Sequence, residues 1–170
     1  MGNSSSYHPN KTIKSFYIQH YLGDWYEIAK YPLIYQKDCI SSSASYTWDQ
    51  NNHRINVVNT CYQSDGTSRN RKGIAWIPNH QDPGKLKLQF TDSGLNSGYI
   101  SDYYIHWTDY CHFSIVGSPC KKYLWFLSRK PQITLCDFKF LCSKAREFSY
   151  DTSKLTYNPN VITQCNLCAY

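Results

Sequence analysis

Eight cysteines stand in 170 residues, and thiols are the side chains of this chain best suited to chemistry. They are Cys39, Cys61, Cys111, Cys120, Cys136, Cys142, Cys165 and Cys168. Three uses are open to them: metal ligation, nucleophilic attack as thiolates, and cross-linking as disulfides. Cys165-Asn166-Leu167-Cys168 has C-x-x-C spacing, but no second pair stands at zinc-finger distance. The pair also lies at a chain end and not on a βα turn, so neither a zinc site nor a thioredoxin-like site is expected. No metal or cofactor is called for. Cys61 is the best-placed nucleophile, since its register in an alternating segment turns it toward an interior. His112 is a weak partner for lowering its pKa, and a buried cysteine is far more often a small hydrophobe. The even number favours disulfides and an oxidising compartment, with the pairing open from spacing alone.

The other chemical motif is at the N-terminus. Met1-Gly2-Asn3-Ser4-Ser5-Ser6 fits the pattern for myristoylation of Gly2 and lacks the apolar core of a secretory signal. Acylation at Gly2 places the protein on the cytosolic face of a membrane. The cysteines favour a secreted or membrane-associated one.

The elements that must position these groups follow from patterning. Sixteen Tyr, five Trp and seven Phe suit strands and the walls of an apolar cavity. Mean hydropathy is negative, and no apolar run approaches the ~20 residues of a spanning helix. Net charge is +6 but scattered, with no recognition motif, so nucleic acid is not an expected partner. Residues 1–15 read as a disordered polar leader, 16–158 as one domain and 159–170 as a tail. Alternation of period two predicts strands near 24–32, 42–49, 54–62, 70–78, 85–91, 100–107, 111–117 and 122–130. Turn-rich separators of hairpin length then imply an all-β, eight-stranded up-and-down antiparallel barrel. After Pro131 the period changes. Thr134 caps a C-terminal helix to about Phe148, with Leu135, Phe138, Leu141, Cys142, Ala145 and Phe148 on the face packed against the barrel side.

Three distant segments share one geometry: Gly23-Asp24-Trp25, Thr108-Asp109-Tyr110 and Phe126-Leu127-Ser128-Arg129. Strands alternate in direction, so all three fall at the same barrel end. There Trp25 can plug the floor and Arg129 can lie across its indole as a cation–π partner. With Tyr21 through Ala29, Ala44-Ser45-Tyr46, Ile55 through Asn59, Lys72 through Ala75, Tyr123 through Pro131 and Asp151 through Leu155, these segments resemble the lipocalins. Within them the likeness is to the apolipoprotein D and bacterial outer-membrane group. The resemblance implies binding and carriage of a small hydrophobic ligand, with no catalysis. It also implies a disulfide from Cys39 in the first mouth link to Cys165 in the tail, with Cys168 as substitute.

Alternation and the resemblance together assign the ligand-facing side chains. They are Ala44, Tyr46 and Trp48; Ile55, Val57 and Asn59; Gly73, Ala75 and Ile77; Leu86, Leu88 and Phe90. Tyr103, Ile105 and Trp107 follow, then Ser114 and Val116, then Tyr123, Trp125 and Leu127. One register slip would invert any set. The lining suits an acyl chain, retinoid or sterol-like body with one polar group. The opposite end is a mouth carrying Lys37, Arg69, Arg71, Lys72, Lys121 and Lys122 against Asp38, Asp65 and Asp92. This modestly basic rim favours an anionic lipid such as a fatty acid or lysophospholipid, or contact with acidic membrane headgroups. The competing readings are a structural, membrane- or particle-associated lipocalin with a vestigial cavity, and a cavity-thiol enzyme built on Cys61. The chain is expected to be a monomer or weak dimer.

Overall fold

In the computed structural model, residues 10–33, 36, 38–92 and 98–165 are described. Gly2, Lys37 and Cys168 lie outside them. Among the described residues eight strands form the barrel: β1 (Gly23–Lys30), β2 (Ser41–Asp49), β3 (Arg54–Tyr62), β4 (Ser68–Trp76), β5 (Lys85–Phe90), β6 (Ile100–Thr108), β7 (Phe113–Gly117) and β8 (Leu124–Ser128). Each pairs antiparallel with its neighbours in sequence, and β8 returns to β1, closing the barrel.

Some strands are shorter than their alternation suggests or displaced from it, for local reasons. β4 keeps its expected length but runs two residues earlier, stopping at Trp76 ahead of Pro78, which has no N–H to donate to a ladder. β7 starts at Phe113 because the Asp109 carboxylate accepts from the N–H groups of His112 and Phe113, both at 2.8 Å. That folds residues 109–112 into a tight turn.

Period-two burial sorts the side chains into two cores. Inside the barrel, Trp25, Tyr46, Ile55, Val57, Ala75, Leu86, Ile105, Val116 and Leu127 form one buried cluster. On the outer wall, Ile28, Ala29, Ile115, Leu124 and Phe126 pack against α2 (Leu135–Glu147), which contributes Leu141, Cys142 and Ala145. Phe148, the helix C-cap, belongs to the same cluster. Burying side chains of the size of Leu141 and Phe126 stabilises by roughly 2 kcal/mol each. α2 starts in a capping box: Asp137 N–H donates to Thr134 Oγ1 (3.1 Å) and Thr134 N–H to Asp137 Oδ2 (3.2 Å).

Both chain ends are drawn onto the barrel. Residues 11–15, assigned by composition to the leader, pass beneath the floor. Thr12 is buried, Ile13 packs into the interior cluster, and Ile13 N–H donates to Ile105 O at 3.0 Å. A short helix, α1 (Ile18–Tyr21), then turns the chain into β1. In the tail, β10 (Ile162–Thr163) runs parallel to β9 (Ile133–Thr134) just ahead of α2.

Candidate functional site

The floor is a stack of interlocked groups. The Arg129 guanidinium lies 3.7 Å from the centroid of the Trp25 ring, and Trp25 is fully buried. Trp25 Nε1 donates to Tyr21 O at 2.9 Å. Arg129 donates to Asp24 O (2.8 Å), His20 O (2.9 Å) and Tyr110 O (3.1 Å), tying three segments together. Gly23 opens β1 with a φ of +92°, in the left-handed region that favours glycine, while a Cβ there would make only ordinary contact with Arg129 Nη1 at 3.5 Å. Thr108 Oγ1 donates to Phe113 O (2.8 Å) and accepts from Tyr110 N–H (3.0 Å), fixing the Thr108–Tyr110 corner beneath the stack.

Above the floor, three tyrosines meet by their hydroxyls. Tyr103 is hydrogen-bonded to Tyr21 (3.1 Å) and to Tyr46 (2.9 Å), and Tyr21 to Ser114 (3.0 Å). Burial pushes the Tyr21 phenol up to about 12 and raises Tyr46 and Tyr103 as well, so all three are neutral donors. With Ile55, Val57, Asn59, Ala75, Leu86 and Leu88 they enclose a cavity of about 30 Å³. The Asn59 Oδ1 facing this space is buried without a hydrogen-bond partner.

The strand pairings place the other candidate lining residues. Ala44, Trp48, Ile77 and Trp125 pack against the interior cluster, and Phe90 pairs with Gly73 on the interior face. Trp107 does not belong there. A bulge between Ile105 and Trp107 shifts the β6–β7 register, pairing Trp107 with outward-facing Ile115. Its indole packs edge-on against Phe140 of α2, ring centroids 5.5 Å apart. Tyr123 is a second correction: it precedes β8, is 38 % exposed, and stacks on Trp125 at the rim.

The chain matches the lipocalin-like domain family over residues 16–160. It is a lipocalin. It is similar to temperature-induced lipocalin-1 of Arabidopsis thaliana, 33 % identical over 155 residues, covering 88 % of this chain and 82 % of that one. It is 30 % identical to mouse (Mus musculus) apolipoprotein D over 152 residues, 84 % of this chain and 76 % of that one. The structure of insecticyanin from the tobacco hornworm Manduca sexta has a TM-score of 0.70 at 21 % identity. It covers 91 % of this chain and 90 % of that one. Members of the family bind small hydrophobic ligands and are generally non-enzymatic carriers.

This lipocalin carries charge inside its mouth-side wall, at positions absent from the expected lining. Glu27 pairs with Leu127 and faces inward by simple alternation from Trp25, whereas a second bulge at Ile28 sends Ala29 outward and turns Lys30, opposite Trp125, inward. They are 12 % and 13 % exposed and form an ion pair at 2.6 Å. Burial raises the Glu27 carboxyl pKa, and Lys30 opposes that rise. Beyond the Tyr26–Ser43 pairing, β1 parts from β2 and Thr156 of the tail pairs with Lys30 instead. A groove of about 720 Å³ opens along that seam, walled by Pro32, Leu33, Ile40, Tyr157 and Val161. A further hollow of about 690 Å³ lies at the floor end near Trp48, His53, Trp76 and His80.

The rim cations divide into two kinds. Arg71 donates to Asp92 (3.0 Å) and lies 4.3 Å over Phe90, while Lys121 folds outward, 4.4 Å over the Tyr150 ring. Lys121 therefore does not serve the mouth, and burial lowers its pKa to about 8. Arg69, Lys72 and Lys122 are exposed and ion-paired to no carboxylate among the described residues.

The disulfides correct the expected pairing. Cys39 is bonded to Cys61, with Cα atoms 5.3 Å apart, and Cys165 to Cys136, at 5.8 Å. Ile40 N–H donates to Tyr62 O, bringing Cys39 beside the end of β3. The tail pairs Ile162 with Ile133, and Cys165 follows Cys136 at the same 29-residue offset. Cys61 thus has no free thiol, and a cavity-thiol mechanism loses its nucleophile. Among the described residues Cys111 and Cys120 are free and exposed, and Cys142 is free and buried.

Proposed function

We propose that this lipocalin takes up a single-chain lipid, a fatty acid or lysophospholipid, with the tail in the barrel and the head at the mouth. The observation that carries the reading is one of polarity along the barrel axis. An apolar interior is sealed below by Trp25 and Arg129, and the opposite end holds Arg69, Lys72 and Lys122, exposed and ion-paired to no carboxylate among the described residues. An anionic head gains at that end, and the acyl chain replaces water along Leu88, Phe90 and Trp125.

The enclosed space of about 30 Å³ is far below the ~300 Å³ at which small-molecule pockets begin. Uptake therefore requires Phe90 and Trp125, both only partly buried, to swing toward the mouth. The same small volume favours a second reading, a structural lipocalin with a vestigial cavity.

Native mass spectrometry with oleate and with oleyl alcohol at low salt separates the readings. One bound chain per protein, with oleate several-fold tighter, is the expected result. Equal binding of the two overturns the head assignment. No binding of either overturns carriage and supports the vestigial cavity.

A further inference from the structure

Eight large hydrophobic side chains stand exposed among the described residues, and their distribution is uneven. Five of them encircle the mouth: Ile40 (50 %), Tyr62 (42 %), Tyr99 (67 %), Ile100 (48 %) and Tyr123 (38 %). They border all four mouth links. Ile40 precedes β2, Tyr62 ends β3, Tyr99 and Ile100 open β6, and Tyr123 precedes β8. The three floor links, residues 50–53, 77–84 and 109–112, carry none. Burial pressure within the fold does not create such a ring, because these side chains touch solvent at strand ends. A ring of apolar and phenolic groups around one open end marks a surface for contact.

Charge selects the occupant. Arg69 and Lys72 on the mouth half of β4 and Lys122 in the β7–β8 link are exposed and, among the described residues, ion-paired to no carboxylate. At the floor end Arg54 pairs with Asp49 (3.2 Å) and Lys85 with Asp82 (2.8 Å), and Lys130 stands exposed beside Arg129. A two-fold, mouth-to-mouth contact between copies would bring together two rims on which these three exposed cations outnumber the exposed carboxylates Asp38 and Asp65, at a cost in Coulomb energy. An anionic lipid surface neutralises them. It also accepts tyrosine at the headgroup level, where the ring is apolar and the hydroxyl stays wet.

We infer that the mouth rim is a docking surface for an anionic bilayer, seated by Tyr62, Tyr99 and Tyr123 and held by Arg69, Lys72 and Lys122. In this orientation the barrel opens onto the membrane, so a lipid chain passes between them without crossing water. Docking does not depend on an occupied barrel, and oleate uptake is read separately.

The test is flotation of the full-length protein with vesicles of phosphatidylcholine alone and of phosphatidylcholine mixed with phosphatidylserine. Three proteins are compared: wild type, the triple variant Tyr62→Ser, Tyr99→Ser and Tyr123→Ser, and a floor-end control, Tyr17→Ser, whose side chain is 62 % exposed. The wild type should bind the serine-containing vesicles more tightly and release them as salt rises. The triple variant should lose at least about tenfold in partitioning with an unchanged far-ultraviolet spectrum, and the control should match wild type. Three results overturn the inference: no flotation of the wild type with either vesicle, equal flotation of the triple variant, or an equal loss in the control. A dimer that the triple variant dissociates, without flotation, makes a second copy the occupant.

Discussion

Arg129 lies flat against Trp25, 3.7 Å from the ring centroid, while its nitrogens donate to the carbonyls of His20, Asp24 and Tyr110. One side chain thus covers the buried indole and ties α1, β1 and the β6–β7 corner to the end of β8. Lysine at this position keeps the charge but loses the planar fork. Arg129→Lys should cost about 2 kcal/mol, from lost stacking and at least one carbonyl left without a donor. Urea unfolding followed by tryptophan fluorescence reads this as a lower midpoint at unchanged slope.

The parts of the fold legible in sequence are those governed by simple periodicity. The alternation in Ile55, Val57 and Asn59, and the three-and-four spacing of Leu141, Cys142, Ala145 and Phe148, each correspond to one element. What stayed hidden is what breaks the period. A single bulge after Ile105 turns Trp107 outward, and another at Ile28 turns Ala29 outward and Lys30 inward; neither site is marked by Gly or Pro. The disulfides misled for a different reason. The resemblance suggested a bridge from Cys39 to the tail, whereas Cys61 at the end of strand three lay within reach of the same mouth link. Local register outweighs analogy there. Nor did composition show that Thr12 and Ile13, in a polar leader, seal the underside of the barrel.

His106 gives the protein a distinct acid sensitivity. It is buried between Phe148 and Tyr150, with Nδ1 2.6 Å from Lys11 O and Nε2 2.9 Å from the Tyr150 hydroxyl. The carbonyl can only accept, so Nδ1 carries the proton and Nε2 accepts from Tyr150. Burial first, and the Lys121 ammonium second, hold its pKa down from 6.5 to about 4, against the opposing bond to Lys11. The folded state therefore resists protonation that the unfolded chain accepts below pH 6.5. Stability from this group is complete above that pH and declines as pH falls toward 4, by about 3 kcal/mol in all. Urea midpoints across this window should fall more steeply for wild type than for His106→Gln.

The two disulfides should behave independently. Cys39–Cys61 closes 22 residues and Cys136–Cys165 closes 29, so removing either costs about 3 kcal/mol in the chain-entropy model. Non-reducing peptide mapping should recover these two cross-links, and iodoacetamide should label Cys111 and Cys120 well before buried Cys142. Recovery of a Cys39–Cys165 peptide would contradict the pairing.

The central claim is that a lipid chain enters the barrel past Trp125, on the interior face, and not past Trp107, on the helix side. The most direct measurement is an oleate titration followed by tryptophan fluorescence in wild type, Trp125→Phe and Trp107→Phe. A saturable change at one oleate per protein is expected in wild type and in Trp107→Phe, and its loss in Trp125→Phe. A change that survives in Trp125→Phe and disappears in Trp107→Phe would contradict uptake by the barrel.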